Sequence, residues 1–268
     1  MTTRRTVLVT GASSGIGEAL AKVFAANAFD LIVTARREQR LRALAESLAR
    51  GNGVRVDVIP GDLALAGAVE KLCSEIERRG HAVDALVNCA GFGVPGKFVG
   101  RRWAEYEAML RLSVAVPSEL TYRLLPAMVE RGYGRIINVA SLAGLVASGA
   151  GTVYGASKTY GVNFSTSLAR EVSAYGVNVT AVCPGLTRTE FHQRPEMRAT
   201  VAAVPRWLWM NADVVAQQAF DAVMRGKPVV VTGRLNQLTV LLLRTVPRPV
   251  LAGLARRVSQ VRKMRRRA

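Results

Sequence analysis

The stretch "TVLVTGASSGIG", residues 6–17, runs from five apolar and β-branched residues into a turn with glycines at 11, 15 and 17. "TVLVT" (6–10) has the composition of a buried strand. The "EALAKVFAAN" that follows (18–27) carries its apolar residues at the three- and four-residue intervals of a helix. A glycine-rich turn between a first strand and a first helix lets backbone N–H groups and the positive helix N-terminus meet a pyrophosphate. The same turn can exist only to pack a strand closely on a helix, so it needs company before it means a cofactor site. The residues that would face such a cofactor are Gly11, Ser13, Ser14, Gly15, Ile16 and Gly17.

Outward from this unit the pattern repeats. "DLIVTA" (30–35), "VRVDVIP" (54–60), "DALVNCA" (84–90), "GRIINVAS" (134–141), "VNVTAVCPG" (177–185) and "PVVVTG" (228–233) read as further strands, with helical periodicity between them. Several are apolar almost throughout, as expected when helices cover both faces of a parallel sheet. The expected fold is α/β: a Rossmann-type, doubly wound parallel sheet of about seven strands. No linker or break in composition precedes residue 234. Residues 1–233 are therefore expected to form one domain, and 234–268 a basic, amphipathic C-terminal extension.

The 268 residues, half of them apolar, suffice for one large core. No apolar run reaches the length of about 18 residues that a membrane span needs. The N-terminal apolar stretch runs straight into the glycine turn, which leaves no room for a signal peptide. Cys73, Cys89 and Cys183 have no paired spacing, and His81 and His192 lie far apart. The expectation is reduced thiols in a cytoplasmic protein, with no disulfide frame and no metal.

Charge is uneven. The chain carries 37 Lys/Arg against 19 Asp/Glu, and the last 25 residues hold nine of the basic residues and no acid. In "PVLAGLARRVSQVRKMRRRA" (249–268), Val250, Leu251, Leu254, Val258, Val261 and Met264 fall within about 140° of a helical wheel, with most of the basic residues opposite. Two readings fit equally: peripheral contact with an anionic membrane surface, or a structural one, a helix docked on its own body with a solvated basic face or a frayed terminus. Nucleic acid is not expected, because the tail has no aromatic residue for stacking and no recognition motif.

NAD sites place an Asp or Glu near the end of the second strand, to hold the ribose 2′-OH. Here Arg36 and Arg37 stand there, and two guanidinium groups suit a 2′-phosphate. The expected cofactor is NADP, with NADPH preferred over NADH; the alternative is that both are solvated surface arginines. Farther on, "TVYGASKTYG" (152–161) puts Tyr154 and Lys158 on one helix face. That spacing alone arises often by chance.

The pieces "TGASSGIG" (10–17), "GDL" (61–63), "NCAG" (88–91), Ser141 in "NVASLAG", "YGASK" (154–158) and "PGLTRT" (184–189) occur together and in this order. In them the chain resembles the short-chain dehydrogenase/reductase family, in its classical branch, over residues 6 to about 233. The resemblance implies an NAD(P)(H)-dependent oxidoreductase with Ser141, Tyr154 and Lys158 as its catalytic residues. It implies that Asp62 and Leu63 border the adenine, and that Asn88, Ala90 and Gly91 line the nicotinamide-ribose wall. Pro184, Gly185, Thr187 and Thr189 would close over the nicotinamide and diphosphate, and Lys158 would also bond the ribose. A homodimer or homotetramer is the common assembly of relatives.

The chemistry suits those residue types. A carbonyl that accepts hydride becomes an alkoxide and needs a proton. A free phenol, with a pKa of about 10, holds its proton too tightly to exchange it readily at neutral pH. A cation beside it draws that value down. Tyr154 would donate in reduction and accept in oxidation, Lys158 would supply the cation, and Ser141 would orient the substrate oxygen. Two departures stand out. The family's usual asparagine in the helix after "NCAG", which shapes a water-filled proton relay, is replaced here by Ser113 in "LRLSVAVPSEL" (110–120). Either an extra water bridges the gap or turnover is slowed. Cys89 replaces a second asparagine and reads as a packed thiol.

The segment 186–212 is expected to form the substrate lid. Its part "EFHQRPEMRATVAAVPRWLWM" (190–210) offers Phe191, Met197, Val201, Trp207, Leu208, Trp209 and Met210. Phe191, Trp207 and Trp209 are the candidate pocket residues, and His192 is given no part. An apolar pocket suits a lipid-like, steroid-like or aromatic ketone, aldehyde or secondary alcohol. Equally, the two tryptophans pack the segment onto the body or a partner subunit. The reading from another class is a nucleotide-binding regulatory or scaffold protein with little turnover. Ser113 alone favours it, and the catalytic trio opposes it.

Overall fold

Seven of the apolar runs hydrogen-bond into one sheet in the computed structural model, which describes residues 4–146, 151–192 and 204–245. The strands are β1 (Thr6–Thr10), β2 (Asp30–Thr34), β3 (Val56–Val58), β4 (Ala85–Asn88), β5 (Gly134–Val139), β6 (Val177–Cys183) and, last in the chain, β9 (Val229–Val231). Their order is β3-β2-β1-β4-β5-β6-β9, and every neighbouring pair is parallel. This is the expected doubly wound Rossmann-type sheet.

Side-chain alternation along the strands divides the core in two. Val7, Val9, Leu31 and Val33 face the layer of helices α1 (Gly15–Ala26) and α2 (Glu38–Asn52); Leu8 and Ile32 face the opposite layer. That opposite layer holds α3 (Ala68–Arg78), α5 (Val116–Glu130) and α6 (Thr152–Val172). Helix α7 (Ala212–Met224) joins α1, where Phe24 meets Phe29 at 5.1 Å and Phe220 of α7 at 5.0 Å, both edge-on. Each such buried ring or aliphatic chain contributes about 1.5–3 kcal/mol.

The chain leaves β1 toward β2 and β3, then returns to β4 on the other side of β1. The crevice outside the carboxyl ends of β1 and β4 is thus the topological switch point, where open α/β sheets bind ligands. Helix α4 (Trp103–Leu110) runs into α5 through a wider π turn, Arg111–Ala115, which carries Ser113.

Sequence periodicity could not show the next feature. Two short strands, β7 (Thr187–Arg188) and β8 (Met210–Asn211), pair in parallel and tie together the two ends of the expected lid. Met210 N donates to Leu186 O at 2.8 Å beside them. Helix α8 (Arg234–Thr245) follows β9 and bonds back to it, Gln237 Nε2 donating to Val231 O at 2.9 Å, with Val240 buried and Leu235 and Leu238 exposed. The basic tail 249–268 and the lid residues Met197 and Val201 lie outside the described residues. Among the described residues no helix is long and apolar enough to cross a membrane.

Candidate active site

The glycine turn is built by close approach. Gly11 and Gly15 have φ of 69° and 61°, a region that L side chains disfavour. A Cβ on Gly11 would lie 2.9 Å from the Ala90 backbone, and one on Gly17 would lie 2.4 Å from the Gly11 oxygen. Thr10, unremarked in the sequence, fastens the two strands: its Oγ1 donates to Val87 O at 3.1 Å and accepts from Cys89 N at 3.0 Å and Ala90 N at 3.1 Å.

Over this turn lies a cavity of about 700 Å3, within the range of small-molecule sites. Most of the expected residues line it: Gly11, Ser13, Ser14, Gly15, Ile16, Arg36, Arg37, Asp62, Leu63, Ala90, Gly91, Ser141, Tyr154, Lys158, Pro184, Gly185, Thr187, Thr189 and Phe191. Five do not. Gly17 packs behind the turn. Asn88 points inward, donating to Asn138 Oδ1 at 2.8 Å, while Asn138 donates to Ser165 Oγ at 2.9 Å. Its place in the motif is therefore that of a buried brace. Ser113 faces a separate small cavity, described below. Trp207 is 68% exposed, and Trp209 backs His192 edge-on at 4.9 Å without lining the cavity. His192 itself does line it, packed between Trp209 and Phe191, and burial lowers its pKa toward a neutral imidazole.

At the catalytic end, Ser141 follows β5 and caps a short turn, accepting from Ala143 N at 3.2 Å. Gly144 in that turn lies so near α6 that a Cβ there would sit 2.6 Å from the Lys158 backbone. This contact sets the Ser141 hydroxyl and the Tyr154 phenol on the same wall of the cavity, near enough for Ser141 to lower the phenol pKa. Lys158 Nζ donates to Val139 O at 2.8 Å and lies 5.6 Å from the centre of the Tyr154 ring.

Electrostatics here differs from the expectation that Lys158 draws the phenol down. Burial pushes the Tyr154 pKa up, and the Ser141 hydrogen bond offsets this only in part. Burial also pushes the Lys158 pKa down. The lysine commits a proton to a carbonyl and is largely withdrawn from solvent, as is the phenol, so desolvation dominates both groups. Cys89, on the cavity wall, is pushed up to about 12 by burial and stays a thiol.

Behind Lys158 lies a second cavity of about 20 Å3, lined in part by Asn88, Ser113, Asn138 and Ser157. Ser113 Oγ and Asn88 Oδ1 have no hydrogen-bond partner among the described residues. With these two polar atoms unpartnered beside it, the space is large enough for one water.

At the far end, Arg36 borders the cavity, exposed and without a partner among the described residues. Arg37 donates to Ser13 at 3.2 Å and to Glu190 at 2.6 Å, and Arg40 pairs with the same carboxylate. Neither Glu190 nor Arg40 carried any signal in the sequence. A glycine cradle without room for side chains, ending at guanidinium groups, fits a dinucleotide with its phosphates. Among the described residues no group of three or more His, Cys, Asp or Glu is placed to hold a metal.

Residues 5–199 match the family described as short chain dehydrogenase. Nodulation protein G of Rhizobium sp. (strain N33) is 34% identical over 224 residues, which are 82% of this chain and 90% of that protein. A short-chain dehydrogenase from Sphingobium yanoikuyae, solved in complex with NADPH, superposes with a TM-score of 0.78 at 31% identity, covering 91% of this chain and 97% of that one. The bulky-bulky ketone specific alcohol dehydrogenase from Comamonas testosteroni superposes with a TM-score of 0.76 at 27% identity, covering 92% and 96%.

Proposed function

The chain belongs to the short chain dehydrogenase family, and from that premise we propose that it reduces bulky apolar ketones or aldehydes with NADPH, or oxidises the corresponding alcohols. An NAD(P)-dependent oxidoreductase acting on alcohol or carbonyl groups follows from the family. The finer reading rests on one observation above the others: Ser141, Tyr154 and Lys158 line the same cavity, with the Lys158 ammonium 5.6 Å from the centre of the Tyr154 ring.

In this reading the 11–17 turn would hold the diphosphate and Lys158 the nicotinamide ribose. Asp62 and Leu63 would border the adenine, Ala90 and Gly91 the nicotinamide side. Bound there, the nicotinamide would supply hydride in reduction and take it up in oxidation. Ser141 Oγ donates to the substrate oxygen and fixes its distance from Tyr154. Tyr154, held as the neutral phenol by burial, passes its proton to the oxygen as negative charge develops there. A water in the small cavity would link Ser113 to Lys158 and replenish that proton. This weighs against the scaffold reading, whose single support was Ser113.

Preference for NADPH is supported by the Arg36 and Arg37 pair that follows β2, with no Asp or Glu in the sequence there before Glu38, and by the NADPH-bound relative. An apolar substrate is supported by Phe191, which tilts over Tyr154 at a centroid distance of 5.9 Å. The ketone-specific relative points the same way.

Steady-state kinetics with NADPH across a panel of carbonyl compounds tests the proposal. Bulky apolar ketones should show higher kcat/KM than sugars or short polar aldehydes. Phe191→Ala should raise KM for the best ketone about tenfold, the loss of part of a ring contact worth about 1.5–3 kcal/mol, and change kcat less. A panel led by polar substrates, or a KM that Phe191→Ala leaves in place, would count against an apolar pocket.

A further inference from the structure

Glu190 sits where nothing in the proposed reaction calls for a carboxylate. It opens the short turn Glu190–His192 on the lid side of the cavity, yet its oxygens reach across to the β2 side. Oε2 accepts from Arg37 Nη1 at 2.6 Å, and Oε1 accepts from Arg40 Nη1. Arg37 spends its other nitrogens on Ser13: Nε and Nη2 donate to the hydroxyl, and Nη2 also to the backbone oxygen, each at 3.2 Å. Every nitrogen of the Arg37 guanidinium therefore has a partner inside the protein. A 2′-phosphate that approaches Arg37 meets a group already bound to an anion.

We propose that Glu190 is a specificity-determining residue for the cofactor: its carboxylate occupies the donors that a 2′-phosphate would use, and so sets how strongly the protein distinguishes NADPH from NADH. The proposal rests on the reading that these arginines face the 2′-phosphate. Carboxylate and phosphate compete for the same N–H donors and repel each other, so binding of a phosphorylated cofactor must loosen the Glu190 contact. Arg36, which has no partner among the described residues, is the guanidinium that a 2′-phosphate meets without competition. NADH brings no phosphate to this place and leaves the contact alone. Both arginines lower the Glu190 pKa, so the carboxylate stays charged through the neutral range. The ion pairs are roughly half exposed, which keeps each of them modest and displaceable.

The test measures dissociation constants for NADPH and NADH by quenching of intrinsic tryptophan fluorescence, on the full chain without substrate. Glu190→Gln keeps the shape and removes the charge; Glu190→Ala serves as a second variant. Both should tighten NADPH about fivefold and shift NADH by less than about twofold, raising the ratio of the two constants. An unchanged ratio, or weaker NADPH binding in both variants, overturns the proposal. The underlying cofactor reading fails differently: wild-type protein would bind both cofactors alike, and Arg36→Ala would leave that balance in place.

Discussion

Tyr154→Phe is expected to lower kcat by about 10²–10⁴-fold while the dissociation constant for NADPH stays within about twofold. The substitution removes one hydroxyl and keeps the ring that packs on Phe191 at 5.9 Å. The alkoxide then has no proton donor at the end of its hydrogen bond with Ser141. Equal falls in kcat and kcat/KM would mark an interaction made only in the transition state. The pH dependence follows from the direction of the shift. Burial raises the phenol pKa, so the proton-donating form persists to higher pH than in a free tyrosine. Reductive kcat/KM should stay level through neutral pH and decline only on the alkaline side. Oxidation needs the phenolate and should climb over the same alkaline range. Rate profiles in both directions check this, and a Tyr154→Phe variant that still reduces its ketone at the wild-type rate would remove Tyr154 from the chemistry.

Lys158→Met should damage both binding and turnover. Lys158 is partly buried and gives one proton to Val139 O at 2.8 Å. Its remaining donors are those assigned to the ribose of the cofactor. Loss of a hydrogen bond from a charged donor costs about 1.5–3 kcal/mol, or about ten- to hundredfold in the dissociation constant for NADPH. Turnover should fall in addition, about 10²-fold, because the phenol loses the only ammonium set beside its ring among the described residues. Methionine keeps the length and much of the packing, so a thermal melt near that of wild type separates these losses from misfolding. Loss of turnover with wild-type affinity for NADPH would confine the lysine to proton transfer.

Features set by local chemistry were open to sequence reading. The glycine turn was visible because no other residue accepts φ near 65° with a neighbouring backbone 2.9 Å from its would-be Cβ. Most of the strands were visible because strands buried on both faces are apolar almost throughout. Tyr154 and Lys158 were visible because one helix sets their spacing. Features set by long-range pairing were not. Glu190 and Arg37 stand 153 residues apart, and nothing in either local stretch announces the ion pair. The two-residue strands β7 and β8 are too short to show periodicity. Trp207 and Trp209 read as pocket residues by composition, yet one faces solvent and the other supports His192 from behind. Asn88 belonged to a recognisable motif, but the direction of its side chain depended on Asn138, fifty positions farther on. The shift of the Tyr154 pKa likewise depended on burial that only the packed fold determines.

Hydride transfer to a carbonyl carbon with Tyr154 protonating the oxygen would leave a mark in the product. NADPH carrying deuterium at the transferable position of the nicotinamide, incubated with the wild-type protein and the best ketone of the panel, tests it directly. The expected result is one deuterium on the carbinol carbon of the product, a hydroxyl proton drawn from solvent, and almost no labelled alcohol with Tyr154→Phe. Tight NADPH binding with no labelled alcohol from any carbonyl would contradict it.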